Sequence, residues 1–290
     1  MELIKRLVAA FRPKASFHIS TVKAQDVAKV KLAYVDLFER KVDALIIQGF
    51  YNAEEVAAIK QGAKQIDRGR LSGYGGRYTS IPSVFEKLNR EGDADYFTKA
   101  QQDLTYLRDV TKVDFGSKNV KLFTSLASQG EKILSAPFNA SGNQFPSGCL
   151  RIIPPDYGMI RIHADNDFYR GKEQQYAYFL SQVDVSNHVS YIALIQKADK
   201  GGNLVLHDIE YAEYPEMNNA MELINRSTGD TRHVDSFRKL KIMLSEGDLI
   251  LFSGGQIWHS VSRMSGPSDR ITYGGFSAYS LDRKHIYLWT

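Results

Sequence analysis

Three residues spread along the chain have the types needed to hold a redox-active metal. His163 and Asp165 form a His-x-Asp pair at the end of the alternating run MIRIHAD, and His259 follows in QIWHSVS. Side chains alternate along a strand, so His163 and Asp165 project to one face. The third ligand must then come from a distant strand folded back beside the first. Two imidazoles and one carboxylate on one face of an octahedron leave three adjacent positions open. That arrangement suits ferrous iron that binds a co-substrate and oxygen side by side. Eleven residues after His259, Arg270 opens the run RITYGGF. Its planar guanidinium is shaped to take a carboxylate through two parallel hydrogen bonds. Thr272 shares its strand parity and is placed to add a hydrogen bond.

The chain carries its own control. A second His-x-Asp pair, His233-Val234-Asp235, lies in the polar stretch NRSTGDTRHVDS. Only 26 residues separate His233 from His259, which leaves little room for intervening strands. His233 therefore reads as a solvated loop residue. His18, His188 and His285 lie far from any partner pattern. His207 and Asp208 are adjacent, so they point to opposite faces and read as a surface pair.

Other residues flank the metal set. By alternation Arg161 shares a face with His163 and Asp165. Turned inward, it needs an anionic partner such as a substrate carboxylate or phosphate. Turned out by the twist of the strand start, it needs none. Phe168, Tyr169 and Trp258 are candidates to line the pocket, or equally to pack the core.

Two different sets of elements must position these residues. Residues 148–290 carry short alternating runs at 148–153, 159–164, 188–196, 203–207, 240–244, 248–253, 257–262 and 271–279. Eight strands at this spacing predict a jelly roll or barrel. Residues 1–147 read mainly as helical support, with helices expected over 24–40, 53–66, 96–111 and 118–135 and a β-like run at 44–50. Asn52 followed by Glu54 and Glu55 is an N-cap signal with acids in the first turn. The Gly-rich stretch 69–79 reads as a loop, in which Gly73, Gly75 and Gly76 are candidate hinges of a lid. No linker separates the halves, so 1–290 is expected to be a single mainly β domain.

Composition excludes several classes. The net charge is +4 with no block of like charges, so nucleic acid is not an expected partner. No run approaches the ~18 apolar residues of a membrane span, and MELIKRLVAAFRPK has no apolar stretch of signal-peptide length. With the one cysteine, Cys149, this fits a reducing, cytoplasmic setting.

The order His-x-Asp, GG-x-L, GD-x-x-LF, His and Arg resembles the Fe(II)/2-oxoglutarate-dependent oxygenase superfamily. That resemblance implies a double-stranded β-helix (cupin-like jelly roll), with iron on His163, Asp165 and His259. It also implies 2-oxoglutarate on Arg270 and Thr272, and consumption of O2 with release of succinate and CO2. More narrowly, the chain is similar to the freestanding halogenases of the welwitindolinone and hapalindole indole-alkaloid pathways. The similarity runs through NDF after the metal pair, VSYI around Ser190, GGNLVLHDIEY, GDLILFSGG, HSVSRMSG, RITYGGFSAYS and IYLWT. It implies that Ser190 faces the metal-bound oxidant, where a hydrogen bond steers it.

One departure matters. The halogenases have glycine where this chain has Asp165, and the missing carboxylate is what admits a halide. With Asp165 present, the resemblance implies a hydroxylase acting on a small freestanding metabolite: indole alkaloid, nucleotide or amino-acid-like. Desaturation, cyclisation and epimerisation share the same first step and stay open. The reading from another class is a metal-binding jelly roll that senses without turnover; a keto-acid anchor at Arg270 speaks against it.

Overall fold

Alternation of apolar and polar residues builds the second half into two facing sheets. The computed structural model describes residues 17–30, 33–74, 78–85, 93–127, 130–155 and 158–290, and the side chains of 74, 93, 167 and 168 fall outside that description. Among the described residues the strands are β1 (Ile19–Lys23), β2 (Ala44–Gln48), β3 (Ser72–Tyr74), β4 (Tyr78–Ile81), β5 (Lys132–Ser135), β6 (Cys149–Ile153), β7 (Ile160–His163), β8 (Val189–Gln196), β9 (Leu204–Glu210), β10 (Glu216–Met217), β11 (Glu222–Ile224), β12 (Thr231–His233), β13 (Lys239–Lys241), β14 (Leu249–Phe252), β15 (Ile257–Val261), β16 (Arg270–Tyr279) and β17 (His285–Trp289). The large sheet runs β1-β2-β14-β8-β16-β6-β4-β3, and β17 continues from the second half of β16 to β5. The small sheet runs β13-β9-β15-β7, and β10, β11 and β12 form a sheet of their own. The two facing sheets are a double-stranded β-helix.

Strand parity decides what each sheet buries. From the large sheet, Leu194, Ile250 and Phe252 meet Leu204, Leu206 and Ile257 of the small sheet in the space between them. Burying one such side chain stabilises by about 1.5–3 kcal/mol. The alternate residues of the same strands, Tyr191, Leu249, Leu251 and Tyr273, point the other way. There the helices Ala53–Gln65, Asp93–Thr111 and Phe115–Leu126 cover them. Phe115 stacks on Tyr273 with ring centroids 4.1 Å apart. The first of these helices starts as its sequence predicts. Asn52 Oδ1 accepts from the Glu55 N–H at 2.9 Å, and Glu55 Oε2 accepts from the Asn52 N–H at 3.0 Å, which satisfies two otherwise orphaned donors.

The first half departs from expectation in four places. It contributes β1 to β5 as well as helices, and β1 and β2 are hydrogen-bonded into the jelly roll beside β14. The stretch expected as a loop at 69–79 instead supplies β3 and β4, an edge hairpin of the large sheet; Gly75 and Gly76, two of the three candidate hinges, lie outside the described residues. The helix expected over 118–135 ends at Leu126. Gly130 follows with φ +79°, and Lys132–Ser135 runs parallel to β17 as a strand. Likewise the 24–40 stretch divides into a 3-10 turn, Ala24–Lys29, and a short helix, Ala33–Phe38. Among the described residues no helix is long and apolar enough to cross a membrane.

Candidate metal centre

The antiparallel pairing of β7 and β15 sets His163 directly across from His259, with ring centroids 4.3 Å apart. β7 ends at His163, and a 3-10 turn beginning at Asp165 curls its carboxylate back over the two rings. Asp165 Oδ1 lies 3.6 Å from Nε2 of His163 and 3.6 Å from Nε2 of His259. One donor atom from each residue lies within 4.8 Å of the other two. With metal–ligand bonds of about 2 Å to nitrogen and oxygen, the three reach one ion.

The other ring nitrogen of each histidine is committed to a backbone carbonyl, which fixes how the ring is turned. His163 Nδ1 is 2.8 Å from the Arg161 carbonyl and His259 Nδ1 is 2.9 Å from the Ile257 carbonyl. A carbonyl only accepts, so each Nδ1 carries the proton and each Nε2 offers its lone pair. Burial pushes the His259 imidazole down to about 4, so it is neutral at neutral pH. Burial opposes the charge of Asp165, but His259, His188 and His163 outweigh it and hold the carboxyl well below the usual carboxylate range. The Ser190 hydroxyl donates to Asp165 Oδ2, and the Asp165 N–H donates to the Gly254 carbonyl at 3.0 Å. Gly254 has to be glycine here. An added Cβ would stand 2.0 Å from Ser190 Oγ and 2.4 Å from Asp165 Oδ2. His163 is 30% exposed while His259 and Asp165 are about one-twentieth exposed, so the centre opens on the His163 side. The donor set fits a ferrous ion.

Arg270 starts β16, the central strand of the large sheet, and is 5% exposed. Its Nε donates to the Gly202 carbonyl at 2.7 Å. Gly202 sits at φ +68°, and a Cβ there would stand 3.0 Å from Arg270 Cδ. The GG-x-L motif is thus the seat of the arginine. Burial, and then Arg151, lower the Arg270 pKa to about 10, which leaves it cationic. Among the described residues no carboxylate pairs with it, so its outer nitrogens suit an incoming one. Thr272, 2% exposed, follows on the same face.

The other expected residues fall out differently. Trp258 alternates with His259 and lies on the opposite face of the small sheet. It packs with Ile162, Tyr214 and Leu223 and donates through Nε1 to the Tyr214 carbonyl at 2.9 Å. It is a core residue, not a pocket wall. Tyr169 is turned inward by the 3-10 turn, stacks on Phe85 and Phe179, and accepts from Trp289 Nε1 at 3.0 Å. It too packs the core. Arg161 is exposed, so its charge requires no buried partner. The side chain of Phe168 lies outside the described residues. His233 is exposed, at the end of β12 rather than in a loop. His207, expected at the surface, is 5% exposed, with Nε2 3.1 Å from Ser260 Oγ.

One residue was missed. His188 is fully buried, its Nδ1 is 3.1 Å from the Val185 carbonyl, and its Nε2 is 3.9 Å from Asp165 Oδ2. That is too long for a hydrogen bond but close enough to act electrostatically. The available signal was parity, because His188 stands two residues before Ser190.

Comparison with known proteins follows the same line. The sequence model of a family described as carrier-protein-independent halogenase WelO5 matches residues 16–290. An N-substituted L-amino acid dioxygenase from Burkholderia ambifaria AMMD superposes with TM-score 0.54 at 18% identity, over 90% of this chain and 91% of that one. Its complex with alpha-KG gives TM-score 0.55 at 19% identity, over 88% and 90%. At that identity the likeness is one of fold. Against curated protein sequences the chain finds no match.

Proposed function

The chain belongs to the family of the carrier-protein-independent halogenase WelO5, within the Fe(II)/2-oxoglutarate-dependent oxygenases, and within that family we propose that this member hydroxylates its substrate and does not halogenate it. Asp165 carries this reading. In the halogenases that the chain resembles, glycine stands at this position. Here a carboxylate occupies it, aimed at both imidazoles and held from behind by Ser190 and the Gly254 carbonyl.

On this reading His163, Asp165 and His259 hold the iron. Arg270 takes the distal carboxylate of 2-oxoglutarate, with Thr272 beside it. Bound iron, 2-oxoglutarate and O2 together supply the power to oxidise an unactivated C–H bond, with succinate and CO2 released. The protein's part is to orient the reacting bond and to keep water away from it. Ser190 acts through Asp165: its hydroxyl occupies Oδ2 and so turns Oδ1 toward the imidazoles. The opening beside half-buried His163 is the entrance for a small, freestanding molecule, and an amino-acid-like substrate is the class suggested by the dioxygenase of the same fold.

A panel of amino acids, nucleotides and indole alkaloids, incubated with Fe(II), 2-oxoglutarate and isotopically labelled O2, tests the proposal. One labelled oxygen atom in a product, matched by one succinate, is expected. A product that has only lost two hydrogens contradicts hydroxylation. A smaller effect is expected for Ser190→Ala. Partners that orient metal ligands are worth about 10–100-fold in metal affinity, so a titration with Fe(II) should weaken by that range, and wild-type affinity would remove the positioning role.

A further inference from the structure

A second arginine lies inside the jelly roll, between Arg270 and the metal centre. In the register of the large sheet, Ser80 on β4 faces Arg151 on β6, and Arg151 faces Thr272 on β16. Cross-strand partners point to the same side of a sheet, and Thr272 shares the inner face with Arg270. The three side chains therefore form one polar row on the inner wall. Arg270 pairs with Ile153, two residues before the row, while Phe276 pairs with Ser190, the residue bonded to Asp165. Arg151 thus stands one two-residue step, about 7 Å, nearer than Arg270 to the level of the metal ligands. Its charge acts on Asp165 as well as on Arg270.

Arg151 has a side-chain hydrogen bond to Cys149, yet the row is not fully satisfied internally. Ser80 is fully buried and its Oγ has no hydrogen-bond partner; Arg151 Nε is buried and has none either. Among the described residues no carboxylate forms an ion pair with Arg151. A buried hydroxyl and a buried guanidinium N–H left without acceptors are destabilising, and such atoms in native proteins call for an explanation, of which a bound ligand is one. The chemistry that satisfies both is a carboxylate oxygen.

We infer that Arg151, flanked by Ser80, binds the C1 carboxylate of the 2-oxo acid, the end that reaches the metal, while Arg270 binds the distal one. The inference rests on the reading of Arg270 given above. The two arginines divide the co-substrate between them. Arg270 selects for length and the second charge, and Arg151 serves any 2-oxo acid.

Anaerobic calorimetric titration of the Fe(II)-loaded protein distinguishes the parts. The probes are 2-oxoglutarate and 2-oxobutyrate, which keeps the keto-acid head and lacks the distal carboxylate. Arg151→Gln should lower affinity for both acids by roughly ten- to hundredfold, the range of a lost charged hydrogen bond, with Fe(II) affinity in the absence of acid unchanged. Arg270→Gln should lower affinity for 2-oxoglutarate alone. Ser80→Ala should weaken both acids by about three- to tenfold, the range of a neutral hydrogen bond, and it carries the test if Arg151→Gln does not fold. Unchanged binding of both acids in these variants overturns the inference, as does a loss confined to 2-oxoglutarate. An Arg270→Gln protein that still prefers 2-oxoglutarate defeats instead the reading of Arg270. A wild-type protein that binds no Fe(II) defeats the metal assignment.

Discussion

His163→Ala and His259→Ala should each abolish iron-dependent conversion of 2-oxoglutarate to succinate. The register of β7 against β15 gives one Nε2 from each histidine and one Oδ1 from Asp165. Removing either imidazole leaves two protein donors and an unshielded carboxylate. Changes in residues that only orient a ligand already cost about 10–100-fold in affinity or activity, so loss of a ligand itself should exceed that range. His163→Ala is the cleaner variant, since its ring is partly exposed, whereas His259 packs edge-on against Phe252 with ring centroids 4.9 Å apart. The fold should persist in both, as judged by circular dichroism. His233→Ala, an exposed position, should behave as wild type. Undiminished iron binding in either metal-site variant would remove the assignment.

The second large effect is expected at Arg270. Two charge-assisted hydrogen bonds to the distal carboxylate, at about 1.5–3 kcal/mol each, sum to about 3–6 kcal/mol. At roughly 1.4 kcal/mol per tenfold, Arg270→Ala should raise the KM for 2-oxoglutarate by about 10²- to 10⁴-fold. The KM for the oxidised substrate should move far less, and iron affinity should hold, because Arg270 touches neither. Part of any loss of stability will come from the Gly202 carbonyl, which loses its donor. An unchanged KM for 2-oxoglutarate places the anchor elsewhere.

The jelly roll and the two candidate histidine ligands were legible because both depend on strand alternation. Alternation identified β7, β8, β14, β15 and β16, but β7 ends at His163, and Asp165 reaches the same point through the 3-10 turn that follows rather than by strand parity. Register is not written in a single strand. Nothing in VSYI announces that Ser190 donates to Asp165, because that contact depends on the order β14-β8-β16 and on the turn that follows His163. For Trp258 and Tyr169 the sequence left pocket and core equally open, for a related reason. Proximity in sequence to a ligand suggested the pocket, while the alternation of β15 and the 3-10 turn after Asp165 send both rings into the core. Arg151 escaped notice because it sits on β6, a strand that carries no metal ligand, and only the register of β6 against β16 sets it beside Thr272 on the face of Arg270. The Gly-rich hairpin of β3 and β4 was hidden by composition, since glycines that usually mark a loop are tolerated on an edge strand.

With Asp165 as a metal ligand, the position a halide needs is filled. Asp165→Gly should open that position to chloride, yet efficient halogenation is not expected from it alone. The outcome also depends on where the substrate hydrogen is held, and that positioning tolerates little error. The direct measurement is on the wild-type protein, incubated with Fe(II), 2-oxoglutarate, O2 and an accepted substrate in rising chloride or bromide, with the product examined by mass spectrometry. A product carrying one added oxygen and no halogen isotope pattern, at every halide concentration, is the expected result; a halogenated product from the wild-type protein contradicts the account.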